Sequence, residues 1–167
     1  MTVTAPRSAP VLTERDVLDL LNDRYLRLTP GNGVRYVTAE HVRSHAGFDA
    51  RRTADMIVQD MWPSSGLALI GHEVKVSRGD WLTELKAPEK AEEFRRYMHR
   101  WWLVVSDPRI VRDDLPDGWG LMAVTRGGLR VVKQAPRLTP EPIPRTMQVA
   151  LLRAATATAS RLGCPFH

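Results

Sequence analysis

Apolar residues at helical spacing mark the start of the chain. Val17, Leu18, Leu20, Leu21, Tyr25 and Leu28 fall on one side of a helix over residues 13–28, and that stripe predicts an amphipathic element. Thr13 followed three residues later by Asp16 resembles a capping box at its beginning. Pro30-Gly31-Asn32-Gly33 ends it. A short strand over 34–37 and a short helix from Ala39 to about Ala46, stopped by Gly47, are expected next. The pattern then changes. Residues 53–60 and 67–76 read as strands on either side of Trp62-Pro63-Ser64-Ser65-Gly66, a strong turn signal. Ser77 is placed to cap a following helix, with Asp80 three positions on. Ala87-Pro88 breaks that helix, because a residue before proline disfavours the helical region. A second helix is expected from Glu89 to about Arg100.

The run Trp101-Trp102-Leu103-Val104-Val105 predicts a buried strand. Residues 119–124 and 129–132, joined through Arg126-Gly127-Gly128, predict another hairpin. Pro136, Pro140, Pro142 and Pro144 make a stiff connector, and residues 145–162 a closing helix ended by Gly163. No internal repeat is present. A helix, a hairpin, more helix and further strands describe an α/β fold with a mixed sheet carrying helices. At 167 residues the chain has the length of one domain. We place that domain over 11–167 and read the Thr/Ala/Pro-rich residues 1–10 as a flexible tail.

Composition narrows the classes. A hydrophobic share of 43% is enough to fill a core and argues against wholesale disorder. No apolar run approaches the roughly 20 residues that span a bilayer, and the first residues lack the apolar centre of a signal peptide. No membrane role and a cytoplasmic location are therefore expected. The single cysteine, Cys164, excludes an intramolecular disulfide and a cysteine-based zinc site, in keeping with a reducing compartment. A net charge of +5 suits a polyanionic partner such as nucleic acid. Lys75, Arg78, Lys86, Lys90, Arg95, Arg96 and Arg100 crowd one segment, although Glu84, Glu89, Glu92 and Glu93 are interleaved there as on a solvated helix face.

Candidate chemistry lies in the first hairpin. If it is centred near Ser64, antiparallel pairing sets Asp55 opposite Glu73. Lys75, two residues on, shares the face of Glu73. Charged residues in an otherwise apolar strand are costly unless they are used or lie at its rim. Asp55 and Glu73 are oxygen ligands suited to a divalent cation, and the backbone carbonyl of Val74 can supply a third. A cation held there would activate a water and neutralise a phosphate. Lys75 would orient the water or stabilise charge on the pentavalent phosphate. Arg52, Arg78, Lys86 and Lys90 are the candidate phosphate contacts, since backbone phosphates are gripped by cations beside the reacting centre. Ser77 and Asp80 cap their helix and thereby help to aim Lys75. Trp81 is a base-stacking candidate, with core packing as the competing role. His41 and His45 have the i, i+4 spacing of a zinc pair on a helix, but no third ligand is evident nearby.

Asp55 followed by Glu73-Val74-Lys75 resembles the acidic residue and (D/E)XK element of the PD-(D/E)XK nuclease superfamily. The wider run from Glu73 to Lys86, with its Lys-x-Ser-Arg-x-Asp-Trp string, is similar to the MmcB-like DNA-repair branch and to uncharacterised actinobacterial and phage proteins. The likeness is strongest over about residues 50–125. Ala54 stands where the superfamily's name has proline, a loosely kept position. The resemblance implies a restriction-endonuclease-like core, a magnesium or manganese cofactor and a DNA substrate met in repair or processing. It also implies an acidic residue on the first helix. Glu14 is the nearest candidate, with Asp16 and Glu40 behind it. Nucleases that cut both strands often pair up, so a homodimer and a protein partner that selects the target belong to the same expectation. The competing class is a DNA-binding accessory module that keeps the fold and basic face without turnover.

Overall fold

A computed structural model describes residues 11–28, 34–45 and 52–163. The expected tail over 1–10, the Pro30-to-Gly33 stop, Gly47 and Cys164 lie outside the described residues. Helix α1 (Glu14–Arg27) begins on the expected capping box. The Thr13 N–H donates to Asp16 Oδ2 at 2.7 Å, and the Asp16 N–H donates back to Thr13 Oγ1 at 3.2 Å. Its apolar stripe buries Val17, Leu18, Leu21 and Tyr25.

Six strands follow: β1 (Tyr36–Arg43), β2 (Thr53–Asp60), β3 (Leu69–Lys75), β4 (Arg100–Val105), β5 (Gly120–Thr125) and β6 (Gly128–Lys133). They form one mixed sheet in the order β1-β2-β3-β4-β5-β6. The first three make an antiparallel meander, β4 runs parallel to β3 and to β5, and β6 returns antiparallel. Between β3 and β4 lie helices α2 (Arg78–Leu85) and α3 (Glu89–Arg95), and α4 (Arg145–Leu162) closes the chain. The fold is α/β, as the pattern predicts.

Two expectations need correction. The helix expected over 39–46 is strand: Ala39, Glu40 and Val42 pair with Ile57, Met56 and Ala54. Ala-Glu-His-Val-Arg has no strong local preference, and pairing with a partner some fifteen residues away decides its conformation. The 34–37 strand is the leading end of this longer β1. The helix expected to reach Arg100 stops at Arg95 instead. The parallel ladder requires Arg100 to pair with Ile70, and just before it the His99 N–H donates to the Leu69 carbonyl at 2.8 Å.

Apolar side chains fill both faces of the sheet. On one face α1 packs Val17, Leu18, Leu21 and Tyr25 against Met56, Val58, Val74, Trp102 and Val104. On the other, Trp81 of α2, Phe94 of α3 and Met147 of α4 meet Ile57, Trp101 and Leu103. Alternation along β3 therefore sends His72 and Val74 toward α1, and Gly71, Glu73 and Lys75 toward α2. Among the described residues no helix is long and apolar enough to cross a membrane.

Candidate active site

The expected register of the first hairpin is present. Met56 pairs with His72, and Asp55 and Glu73 each stand one residue further on, facing each other across the strands. Here the ladder ends and a side chain takes over: Asp55 Oδ2 accepts the Val74 N–H at 2.7 Å. The carboxylate replaces a backbone carbonyl and satisfies an amide that the parting strands would leave bare.

Lys75 lies between two carboxylates. Its Nζ is 2.7 Å from Glu73 Oε1 and 3.2 Å from Glu84 Oε2. All three side chains are about six-sevenths covered, at 15%, 12% and 13% exposure. Glu84 arrives from α2, whose start is fixed by Ser77: its hydroxyl accepts the Asp80 N–H at 3.1 Å. The Asp80 carboxylate makes no return bond among the described residues, so the cap is one-sided. Seven residues of helix carry the chain from Ser77 back over Lys75. Sequence reasoning placed Glu84 among the charges of a solvated face and missed this role.

Glu14, in the first turn of α1, completes the acidic side. Ligand atoms of Glu14, His41 and Asp55 all lie within 4.8 Å of one another. Sequence reasoning also missed His41, because its spacing to His45 matters only on a helix. On β1 it lies opposite Asp55, between the pairs Glu40–Met56 and Val42–Ala54. It adopts φ 51°, a left-handed conformation that costs a non-glycine residue on the order of 1 kcal/mol and recurs at functional sites. His45 is not part of the group.

Burial and mutual repulsion govern the electrostatics. Loss of solvent pushes the Glu73 carboxyl up and the neighbouring Asp55 charge adds to the rise, while Lys75 opposes both without cancelling them. Asp55 is also raised, first by burial and then by Glu14, with the Val74 N–H opposing. Burial alone would drive the Lys75 ammonium toward neutrality, but Glu73 and Glu84 outweigh it and hold the group charged.

The remaining expected residues divide. Arg52 pairs with Glu93 of α3 at 3.1 Å. Arg78 donates to the Ile110 carbonyl at 2.9 Å and pairs with Asp114 at 2.6 Å, tying α2 to the loop after β4. Lys86 and Lys90 are exposed, without an ion pair among the described residues. Trp81 is fully buried and donates its indole N–H to Asp114 at 3.0 Å, which makes it a core residue. Asp16 is committed to its cap. Glu40 lies apart from the site's carboxylates, between Arg15 and Arg161.

No protein-family model matches the chain, and no curated protein matches it. Among solved structures the chain is similar to a protein of unknown function from Silicibacter pomeroyi, at 22% identity and a TM-score of 0.60 over 90% of each chain. That likeness concerns the fold alone.

Proposed function

We propose that the chain is a metal-dependent DNA nuclease of the PD-(D/E)XK type, an endonuclease of DNA repair or processing in the cytoplasm. One observation carries the reading: Asp55, Glu73 and Lys75 converge at the open end of a hairpin, their carboxyls raised first by burial and then by neighbouring carboxylates, and their ammonium kept charged. A core that needed only a capped amide would not place two further buried charges beside it. A first helix, a central mixed sheet and a site at the first hairpin are also what the superfamily resemblance implies.

The donors fit a hard divalent ion such as magnesium or manganese. Asp55 and Glu73 would hold it with the Val74 carbonyl, which leaves β3 on the same side as the N–H that Asp55 accepts. Glu14 and His41 share Asp55 and would complete the shell or hold a second position. A cation bound there supplies charge neutralisation and an activated water. The chain's own part is positional. Glu73, raised by burial and by Asp55, must lose any proton before it can ligate, so loading favours alkaline pH. Lys75, kept protonated by Glu73 and Glu84, is not a base. It stabilises negative charge as it builds on the phosphate oxygens. Glu84 positions Lys75 and touches no substrate.

Cleavage of labelled single-stranded, duplex and branched DNA with magnesium or manganese tests the reading. Wild type is expected to cut only with the cation. Lys75→Ala and Asp55→Ala are each expected to lose at least about a hundredfold in rate, the scale of removing one group that stabilises transition-state charge. Cutting that survives both substitutions would reject the site. Salt-sensitive DNA binding without cutting in all three proteins would favour the accessory module instead.

A further inference from the structure

A cleft opens beside the candidate site, between β1 and α4, and encloses about 650 Å³. That volume is in the range that holds a small organic ligand, far too narrow for a duplex. Its floor includes Ala150, Ala154 and Ala157, whose small side chains let a ligand approach the helix closely. The rim is cationic: Arg15, Arg43, Arg153 and Arg161 line it, with Glu40 as the carboxylate among the lining residues. Arg15 and Arg161 share Glu40, each at 2.5 Å, and both also reach Asp19. Arg43 and Arg153 are exposed and make no ion pair among the described residues. Their charge is left for a ligand. His41 lines the cleft and belongs to the Glu14–His41–Asp55 group, so the cleft adjoins the candidate metal position through that residue.

On the opposite flank Lys86 and Lys90 are unpaired among the described residues, but the two arginines expected to contact phosphate are spent. Arg52 is paired with Glu93 and Arg78 with Asp114. We infer that the β1–α4 cleft grips the sugar–phosphate backbone of a single DNA strand leading to the scissile phosphate, with Arg43 and Arg153 as its phosphate contacts. This path crosses α4 rather than α2 and α3, where the sequence pattern alone puts the basic residues. It rests on the nuclease reading for the identity of the ligand.

The test is binding of a fluorescein-labelled single-stranded oligonucleotide, followed by anisotropy without divalent cation across a salt series. The Arg43→Ala/Arg153→Ala pair is compared with Lys86→Ala/Lys90→Ala. All four side chains are exposed and outside the core, and thermal melting checks that each protein stays folded. The arginine pair is expected to bind at least about tenfold more weakly, with the slope of log affinity against log salt shallower by about 1.4, the value for two single-strand phosphate contacts. The lysine pair is expected to bind within about twofold of wild type. Wild-type affinity in the arginine variant, an equal loss in the lysine variant, or no binding by wild type would each overturn the cleft. Cutting of the same oligonucleotide with magnesium separates the two readings. Cutting with an unaffected arginine variant overturns the cleft and leaves the nuclease standing. Arginine-dependent binding without cutting in either cation supports the cleft and overturns the nuclease.

Discussion

Asp55 has two tasks that pull against each other. It caps the Val74 N–H, which favours its charged form, yet burial and Glu14 raise its pKa. The sign of the stability effect follows from that rise. A carboxyl raised in the folded state binds protons more tightly than in the unfolded chain. Its stabilising share is complete below the ordinary value of 3.8 and is lost as pH rises through the higher folded value. Asn keeps a carbonyl to accept the Val74 N–H but carries no charge. Asp55→Asn is therefore expected to match wild type in acid and to become more stable than it by about 1–2 kcal/mol in mildly alkaline, chelator-treated solution. Magnesium should narrow that gap. Thermal melts of both proteins across pH decide it: a difference that stays constant with pH would reject the account. His72 acts in the opposite sense. Fully buried, with Nε2 2.8 Å from the Tyr25 hydroxyl, it is pushed down to about 3 by burial. Its share of stability is lost in acid, and comparison with Asp55→Asn at each pH cancels it.

Elements explain what could be read from the sequence and what could not. The hairpin register was legible because a strong turn between two apolar runs set it locally, and with it came Asp55, Glu73 and Lys75. Thr13 and Ser77 announced the starts of α1 and α2 by side-chain chemistry alone. His41 and Glu84 were not legible, since each reaches the site through a pairing or packing between distant segments. Arg78 looked like a phosphate contact, and nothing near it in sequence showed Asp114 waiting across the loop. Glycines separate the two kinds of constraint. A Cβ on Gly71 of β3 would lie 2.3 Å from the Trp101 ring, whereas one on Gly79 of α2 would meet only Ser77 Oγ at 3.9 Å. Gly71→Ala is expected to destabilise by about 1–3 kcal/mol or more, as overpacked cores do. Gly79→Ala is expected to stabilise by up to about 1 kcal/mol through helix propensity. Denaturant midpoints measured side by side would show it, and a tolerated Gly71→Ala would mean that Trp101 can move.

The whole molecule is held across its first and last elements by one buried carboxylate. Glu40 of β1, 6% exposed at its side chain, accepts from Arg15 and Asn22 of α1 and from Arg161 of α4, while its N–H donates to Thr158 of α4 at 2.9 Å. Removing it leaves partners without their acceptor, so Glu40→Ala should cost about 2–4 kcal/mol, somewhat below a fully buried pair because the arginines are partly solvated. A fall in melting temperature accompanied by proteolytic release of α4 would fit that role, and an unchanged melt would exclude it. A different consequence follows from the tryptophans. The rings of Trp81, Trp119 and Trp101 stand edge to face, with centroids 5.8 and 5.9 Å apart. Chromophores that close share their excited states, and their combined transition is chiral only while the rings keep this arrangement. Trp81 rides on the same short helix as Glu84, the residue that steadies Lys75. The protein thus carries its own optical gauge, in which the near-ultraviolet dichroism of three core indoles follows the seating of the helix that aims the lysine.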